Sequence, residues 1–139
     1  MTQKFDTVRL STKGPGFYVF TRQAESFVAN SGVIEGLLTC FVRHTSASLV
    51  IQENADPDVL RDLVSFMERL VSRDERLYRH TAEGPDDMPS HIRSMLTQAS
   101  ISIPVQNRKL LLGTWQGLYL FEHRDAPHAR DITLHIIGA

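Results

Sequence analysis

Between Asp56 and Val71 the apolar residues Val59, Leu60, Leu63, Phe66, Met67, Leu70 and Val71 recur at i, i+3, i+4 and i+7. Only a helix gathers that spacing onto one face. Asp56 supplies an N-cap acceptor, and Pro57 occupies the first helical position, where its missing N–H costs nothing and its fixed φ suits the turn. This is the most strongly marked helix of the chain, and the segments on either side have to be arranged around it.

Those flanking segments are mostly β-prone. Phe5–Thr12 and Phe17–Thr21 read as strands around Lys13-Gly14-Pro15-Gly16, which predicts a first hairpin. Residues 22–30 place Ala24, Phe27 and Val28 at helical spacing, and Ser31-Gly32 stops the pattern. Val33–Arg43 is a long β-prone run that delivers His44 at its end. After the central helix a loop carries His80 to Pro89, and a further helix starts at Ser90 or His91 and runs to about Gln98. Ala99–Val105, Leu110–Leu112, Thr114–His123 and Asp131–Ile137 supply the remaining strands, with turns at Gln106-Asn107-Arg108 and near Pro127. Strands before and after a helical centre imply an α+β fold, a single compact domain with a largely antiparallel sheet packed with a few helices.

The chain has 139 residues, 42% of them hydrophobic, enough to bury a core in one domain. Its 15 basic and 16 acidic residues leave a formal charge of −1, so neither phosphate-backbone binding nor a polybasic membrane patch is indicated. The charged N-terminal segment lacks the apolar core of a signal peptide, and no apolar run approaches a membrane span. A cytoplasmic protein that binds neither nucleic acid nor membrane is expected. The lone Cys40, set in an apolar run, reads as a core residue and not as a nucleophile.

Three histidines lie in small polar clusters: His44-Thr45-Ser46-Ala47-Ser48, Tyr78-Arg79-His80, and Glu83-Gly84-Pro85-Asp86-Asp87-Met88-Pro89-Ser90-His91. The Gly-Pro and Met-Pro steps stiffen the chain where Asp86, Asp87 and His91 must hold position. Imidazoles with carboxylates suit a divalent metal, and three histidines with an open position suit a catalytic one. For His44 alone, the competing reading is a histidine satisfied by backbone at a strand end. Asp86 and Asp87, if extended, point to opposite sides, so one would reach a shared site while the other caps a helix or meets solvent. Glu53 is either a site acid or a partner that orients a histidine. Trp115, between Gly113 and Gly117, either stacks on a planar ligand or packs on the core. Arg124 and Arg130 in the charged C-terminal cluster either clamp a phosphate or make ordinary ion pairs. Ser46 is not in a nucleophile elbow, which argues against serine hydrolysis.

Read together, residues 44–49, 53–57, 80 with 83–91, 112–117 and 122–130 resemble the YjbQ family, and the resemblance runs through nearly the whole chain. It implies a compact α+β subunit assembled as a homotrimer, with a polar pocket near the subunit interfaces able to hold a divalent metal such as zinc or magnesium. It implies a weak thiamine phosphate synthase activity, which joins hydroxymethylpyrimidine diphosphate to thiazole phosphate. His44, His80 and His91 then become metal ligands or acid–base groups, and Asp86 or Asp87 positions a small phosphorylated metabolite. Glu53, Trp115, Arg124 and Arg130 are candidates for binding it. Gln52 and His123 depart from the family pattern, where asparagine and phenylalanine are common. No glycine-rich phosphate cradle is visible. A metal- or metabolite-binding trimer without turnover is therefore the alternative to an enzyme.

Overall fold

The computed structural model describes residues 1–139, the whole chain. The strands are β1 (Thr2–Thr12), β2 (Gly16–Val19), β3 (Gly36–Val42), β4 (Ala47–Glu53), β5 (Ser100–Gln106), β6 (Lys109–Leu110), β7 (Gln116–Glu122) and β8 (His128–Gly138). The α-helices are α1 (Thr21–Ser31), α2 (Pro57–Leu70) and α3 (Asp87–Leu96), with a 3₁₀ turn at Glu75–Leu77. All strand pairs are antiparallel, in a five-stranded sheet β1-β8-β3-β5-β6 and a three-stranded sheet β2-β7-β4. The α+β class expected from sequence is the one observed.

Alternation builds the core. Leu38, Cys40 and Val42 on β3, Ile101, Ile103 and Val105 on β5, and Ile132, Leu134 and Ile136 on β8 are all buried, and their sequence neighbours face outward. Ala47 and Leu49 from β4, Leu118 and Leu120 from β7, and Phe20, Ala24 and Val28 around α1 join the same cluster. The sheets are linked where the Leu49 N–H of β4 donates to the Gln98 carbonyl, just ahead of β5, at 2.8 Å. Burial pushes the Cys40 thiol up to about 12, which fits its reading as a core residue.

The predicted first hairpin does not form. β1 pairs along its length with β8 (Thr2↔Gly138 to Thr12↔His128), and β2 pairs with β7. Lys13-Gly14-Pro15-Gly16 thus carries the chain from one sheet to the other, a long-range choice that local turn residues cannot disclose. The β5–β6 hairpin does form, with Asn107 and Arg108 at φ 52° and 63°, the left-handed pair of a type I′ turn.

Helix α2 starts as predicted, with the Asp56 carboxylate accepting from the Asp58 N–H at 2.9 Å. None of its residues is fully buried, however, and Phe66 and Leu70 are 50% and 54% exposed. Helix α3 begins at Asp87, earlier than the expected Ser90 or His91, because the Gly84–Asp87 turn runs directly into it (Asp87 N–H to Gly84 carbonyl, 3.3 Å). Proline is tolerated inside that first turn, so Pro89 does not delay the start.

Candidate metal centre

The register of β4 on β7 pairs Ala47 with Glu122. The segment entering β4 (His44, Thr45, Ser46), the segment leaving β7 (His123, Arg124, Asp125) and the start of β8 therefore meet at one end of the molecule, and α3 lays its N-terminus against them. Asp87, the first residue of α3, is the hub. Its side chain is 3% exposed; Oδ2 lies 2.6 Å from His80 Nε2 and 3.1 Å from His91 Nε2, while Oδ1 accepts from Arg124 Nη1 at 2.7 Å. His91 stands one helical turn after Asp87, so the two share a face of α3. The two imidazole rings are 5.5 Å apart, and the ligand atoms of His80, Asp87 and His91 all lie within 4.8 Å of one another.

The second nitrogen of His91 decides the chemistry of the cluster. Nδ1 is 3.0 Å from the Thr45 carbonyl, which can only accept, so Nδ1 carries the hydrogen. With Nδ1 as the donor, Nε2 of the neutral ring carries a lone pair and faces a carboxylate oxygen at 3.1 Å, a contact between acceptors that a shared hydrogen or a bound metal ion bridges. A metal-binding histidine whose other N–H donates to a backbone carbonyl is the usual second-layer arrangement of such sites. Burial works to raise the Asp87 carboxyl, but the hydrogen bond with His80 and the charges of His91 and Arg124 hold it below its ordinary range. His80 is raised, mainly by its hydrogen bond to Asp87.

Asp86 and Asp87 do not diverge as an extended pair would. They sit at the start of a helix, and both turn onto Arg124: Asp86 Oδ2 accepts from Arg124 Nε at 2.9 Å and from the Asp125 N–H at 3.0 Å, and makes no helix cap. Arg124 also donates from Nη2 to the Glu83 carbonyl at 3.2 Å. Arginine 124 is thus a brace for the two aspartates, with its donors taken up by them and by the loop.

The other predicted residues occupy different places. His44 is not in the His80–Asp87–His91 group; its Nε2 accepts from the Asp131 N–H at 3.2 Å, the strand-end satisfaction by backbone weighed above. Burial, with Arg130 next, lowers its pKa. Arg130, 4% exposed, is paired with the fully buried Glu122 (Nε to Oε1, 2.8 Å) and donates to Ser46 Oγ at 3.0 Å. Glu53 and Trp115 lie at the far end of the β4–β7 pair, where Glu53 faces Gln116. Six residue steps along a strand, about 20 Å, separate that end from the hub. Trp115 is 63% exposed there, and Glu53 accepts from the Asp56 N–H at 3.1 Å at the head of α2.

Sequence reasoning missed a second buried layer. The Thr12 hydroxyl donates to Glu122 Oε1 at 2.6 Å, and Ser48 Oγ is 2.9 Å from His123 Nε2. His123 Nδ1 and the Arg93 Nε and Nη2 are buried with no hydrogen-bond partner. Burial, followed by the nearby Arg93, pushes His123 down to about 3. Arg93 carried no sequence signal beyond a polar residue inside an amphipathic helix. Glu83, present in the quoted motif, gave no sign that its carboxylate would come within 3.3 Å of His80.

Fold and site define a small α+β protein with a histidine–aspartate–histidine cluster at the end of two antiparallel sheets. The chain belongs to the YjbQ-like UPF0047 protein family, whose model matches residues 6–139. It is 55% identical to a UPF0047 protein of Synechocystis over 129 residues, 93% of this chain and 88% of that one. It is 43% identical to the UPF0047 protein YjbQ of Escherichia coli O157:H7, over 95% of this chain and 96% of the relative. A crystal structure of an uncharacterized conserved protein of this family from Clostridium acetobutylicum superposes with a TM-score of 0.83 at 34% identity, covering 94% of this chain and 99% of that one. A YbjQ-like protein of unknown function from Sulfolobus solfataricus shares the fold, with a TM-score of 0.86 at 24% identity and 99% coverage of both chains.

Proposed function

We propose that the protein binds a divalent transition metal through His80, Asp87 and His91, and that the open side of this site receives a small phosphorylated metabolite. The observation that carries the reading is the His91 tautomer: the Thr45 carbonyl fixes the hydrogen on Nδ1 and leaves Nε2 facing Asp87 Oδ2 at 3.1 Å. Two imidazoles and one carboxylate favour zinc over magnesium, which prefers oxygen ligands and keeps its waters. Such a metal, when bound, supplies a Lewis acid able to neutralise phosphate oxygens. Arg124 holds both aspartates and the Glu83 carbonyl, and so fixes the carboxylate that the metal needs. The test is zinc binding by titration calorimetry and elemental analysis on the wild type, Asp87→Asn and His91→Ala. Zinc held by the wild type and lost by both variants is expected. Equal binding by all three, or none by the wild type, overturns the reading and leaves a proton as the bridging cation.

The enzymatic form of this proposal is thiamine phosphate synthesis, the activity that the family resemblance implies. The non-catalytic form, a metal- or metabolite-binding assembly, is favoured by a specific observation. Arg124 and Arg130 are committed to carboxylates, and Glu53 and Trp115 stand at the opposite end of the strands, so none of the four residues expected to bind the substrate is free beside the hub. Assay of thiamine phosphate formation with zinc-loaded protein separates the two. We further propose a homotrimer in the cytoplasm. Support comes from the apolar residues of α2 left uncovered, since an exposed apolar stripe of this kind marks an interface. No helix of the chain is long and apolar enough to cross a membrane.

A further inference from the structure

We infer that the space between α2 and the three-stranded sheet binds a small apolar carboxylate, its ring or chain in a slot beneath α2 and one carboxylate oxygen on the buried Arg93. The inference goes beyond the metal reading above and does not depend on it. The apolar stripe of α2 does not close onto the sheet. Leu63, Phe66 and Met67 of the helix face Phe17, Val50 and Phe121, one from each strand of that sheet, across a slot of about 220 Å³. No residue of α2 is fully buried, whereas protein interiors are packed to the density of organic crystals. A dry apolar cavity of ~150 Å³ takes up benzene, so a slot of this size and lining suits a six-membered ring or a short branched chain.

A buried cation adjoins the slot. Beside it is a recess of about 10 Å³ that shares Met67 and Phe121 as walls and is lined further by Arg93 and His123. A volume near one water-sized sphere has room for a single oxygen atom. α3 joins the two spaces: Arg93 in the recess and Thr97 in the slot stand one helical turn apart, where the Thr97 hydroxyl donates to the Arg93 carbonyl at 2.8 Å. Arg93 is 2% exposed, and its Nε and Nη2, together with His123 Nδ1, are buried without a hydrogen-bond partner. The buried carboxylates are taken elsewhere, Asp86 and Asp87 by Arg124 and Glu122 by Arg130. Glu68 lines the recess from the exposed side of α2 and acts on Arg93 only through space. A buried guanidinium with free donors calls for an acceptor, and an anionic one is favoured because charge-assisted hydrogen bonds are the strong ones. An apolar body and one anionic oxygen are the two properties that a ligand of this space combines.

The experiment uses benzoate as the probe and benzyl alcohol as its neutral counterpart. Each is titrated by calorimetry into the full-length chain at neutral pH, with chelator present so that no metal-bound carboxylate contributes, for wild type, Arg93→Met and Val50→Phe. Melting curves on the same samples report folding. The wild type should bind benzoate about tenfold to a hundredfold more tightly than benzyl alcohol, the range of a hydrogen bond to a charged group. Arg93→Met should bind the two alike, and Val50→Phe, which fills the slot from β4, should bind neither. No benzoate binding by the wild type, or equal affinity for the acid and the alcohol, overturns the inference whatever the variants do. Benzoate binding that persists at wild-type strength in folded Arg93→Met or folded Val50→Phe puts the ligand elsewhere and overturns it as well. Should Arg93→Met fail to fold, the wild-type comparison and Val50→Phe decide.

Discussion

His123 should make this protein acid-sensitive well above the carboxylate range. The ring is fully buried, with Nε2 on the Ser48 hydroxyl and Nδ1 without a partner. Burial and then Arg93 lower its folded pKa to about 3, Arg130 adds to the fall, and Glu122 opposes it. In the unfolded chain a histidine titrates near ~6.5. The unfolded state therefore binds a proton that the folded state refuses, and this contribution destabilises the fold progressively as pH falls from about 6.5 toward 3. One proton of difference is worth about 1.4 kcal/mol per pH unit, and the two titration curves integrate to about 2 kcal/mol between pH ~6 and ~4.5. Urea unfolding of the wild type and His123→Phe at those two pH values, with chelator present, measures it. Phenylalanine keeps the packing against Phe121, whose ring lies 4.4 Å from that of His123. His44, lowered, and His80, raised, titrate in both proteins and cancel in the difference. The wild type should lose about 2 kcal/mol more than the variant over this interval. Parallel losses, within ~0.5 kcal/mol, would show that His123 is not held neutral by burial and would refute the reasoning.

His91→Ala should lose zinc yet keep its fold, since the side chain is one-third exposed (33%); calorimetry and a melting curve on the same sample check both halves. Gly36→Ala should destabilise severely, because an added Cβ would stand 2.2 Å from the Ile137 carbonyl oxygen across the β3–β8 pair; overpacking costs typically ~1–3 kcal/mol, readable by urea titration, and a neutral result would mean the strands can separate there. Cys40 should stay unreactive toward a thiol reagent until the protein is unfolded, and rapid labelling of the native protein would contradict its burial. Light scattering at micromolar concentration should give three subunit masses, falling to one when Phe66 and Leu70 are both replaced by glutamate; a monomeric wild type disproves the trimer.

Certain features belong to the sequence alone. The apolar repeat, Asp56 and Pro57 fix α2 and its first turn, because capping and 3.6-residue periodicity act over a few neighbours. The alternation through Leu38, Cys40 and Val42, and again through Ile132, Leu134 and Ile136, fixes strands and their buried face for the same local reason. The motifs around His80 and His91 name the two histidines that meet at Asp87. What only the tertiary structure decided is which partners these local elements find. β1 joined β8 across more than a hundred residues instead of folding back on β2, and α2 kept its apolar face outside the core. His44 was taken by the Asp131 N–H, Arg124 by two aspartates, and Trp115 was carried to the far end of the strands. Strand order and register bring residues together regardless of their spacing along the chain. Burial then selects which charges meet, because an unpaired ion inside the protein costs far more than any local preference supplies.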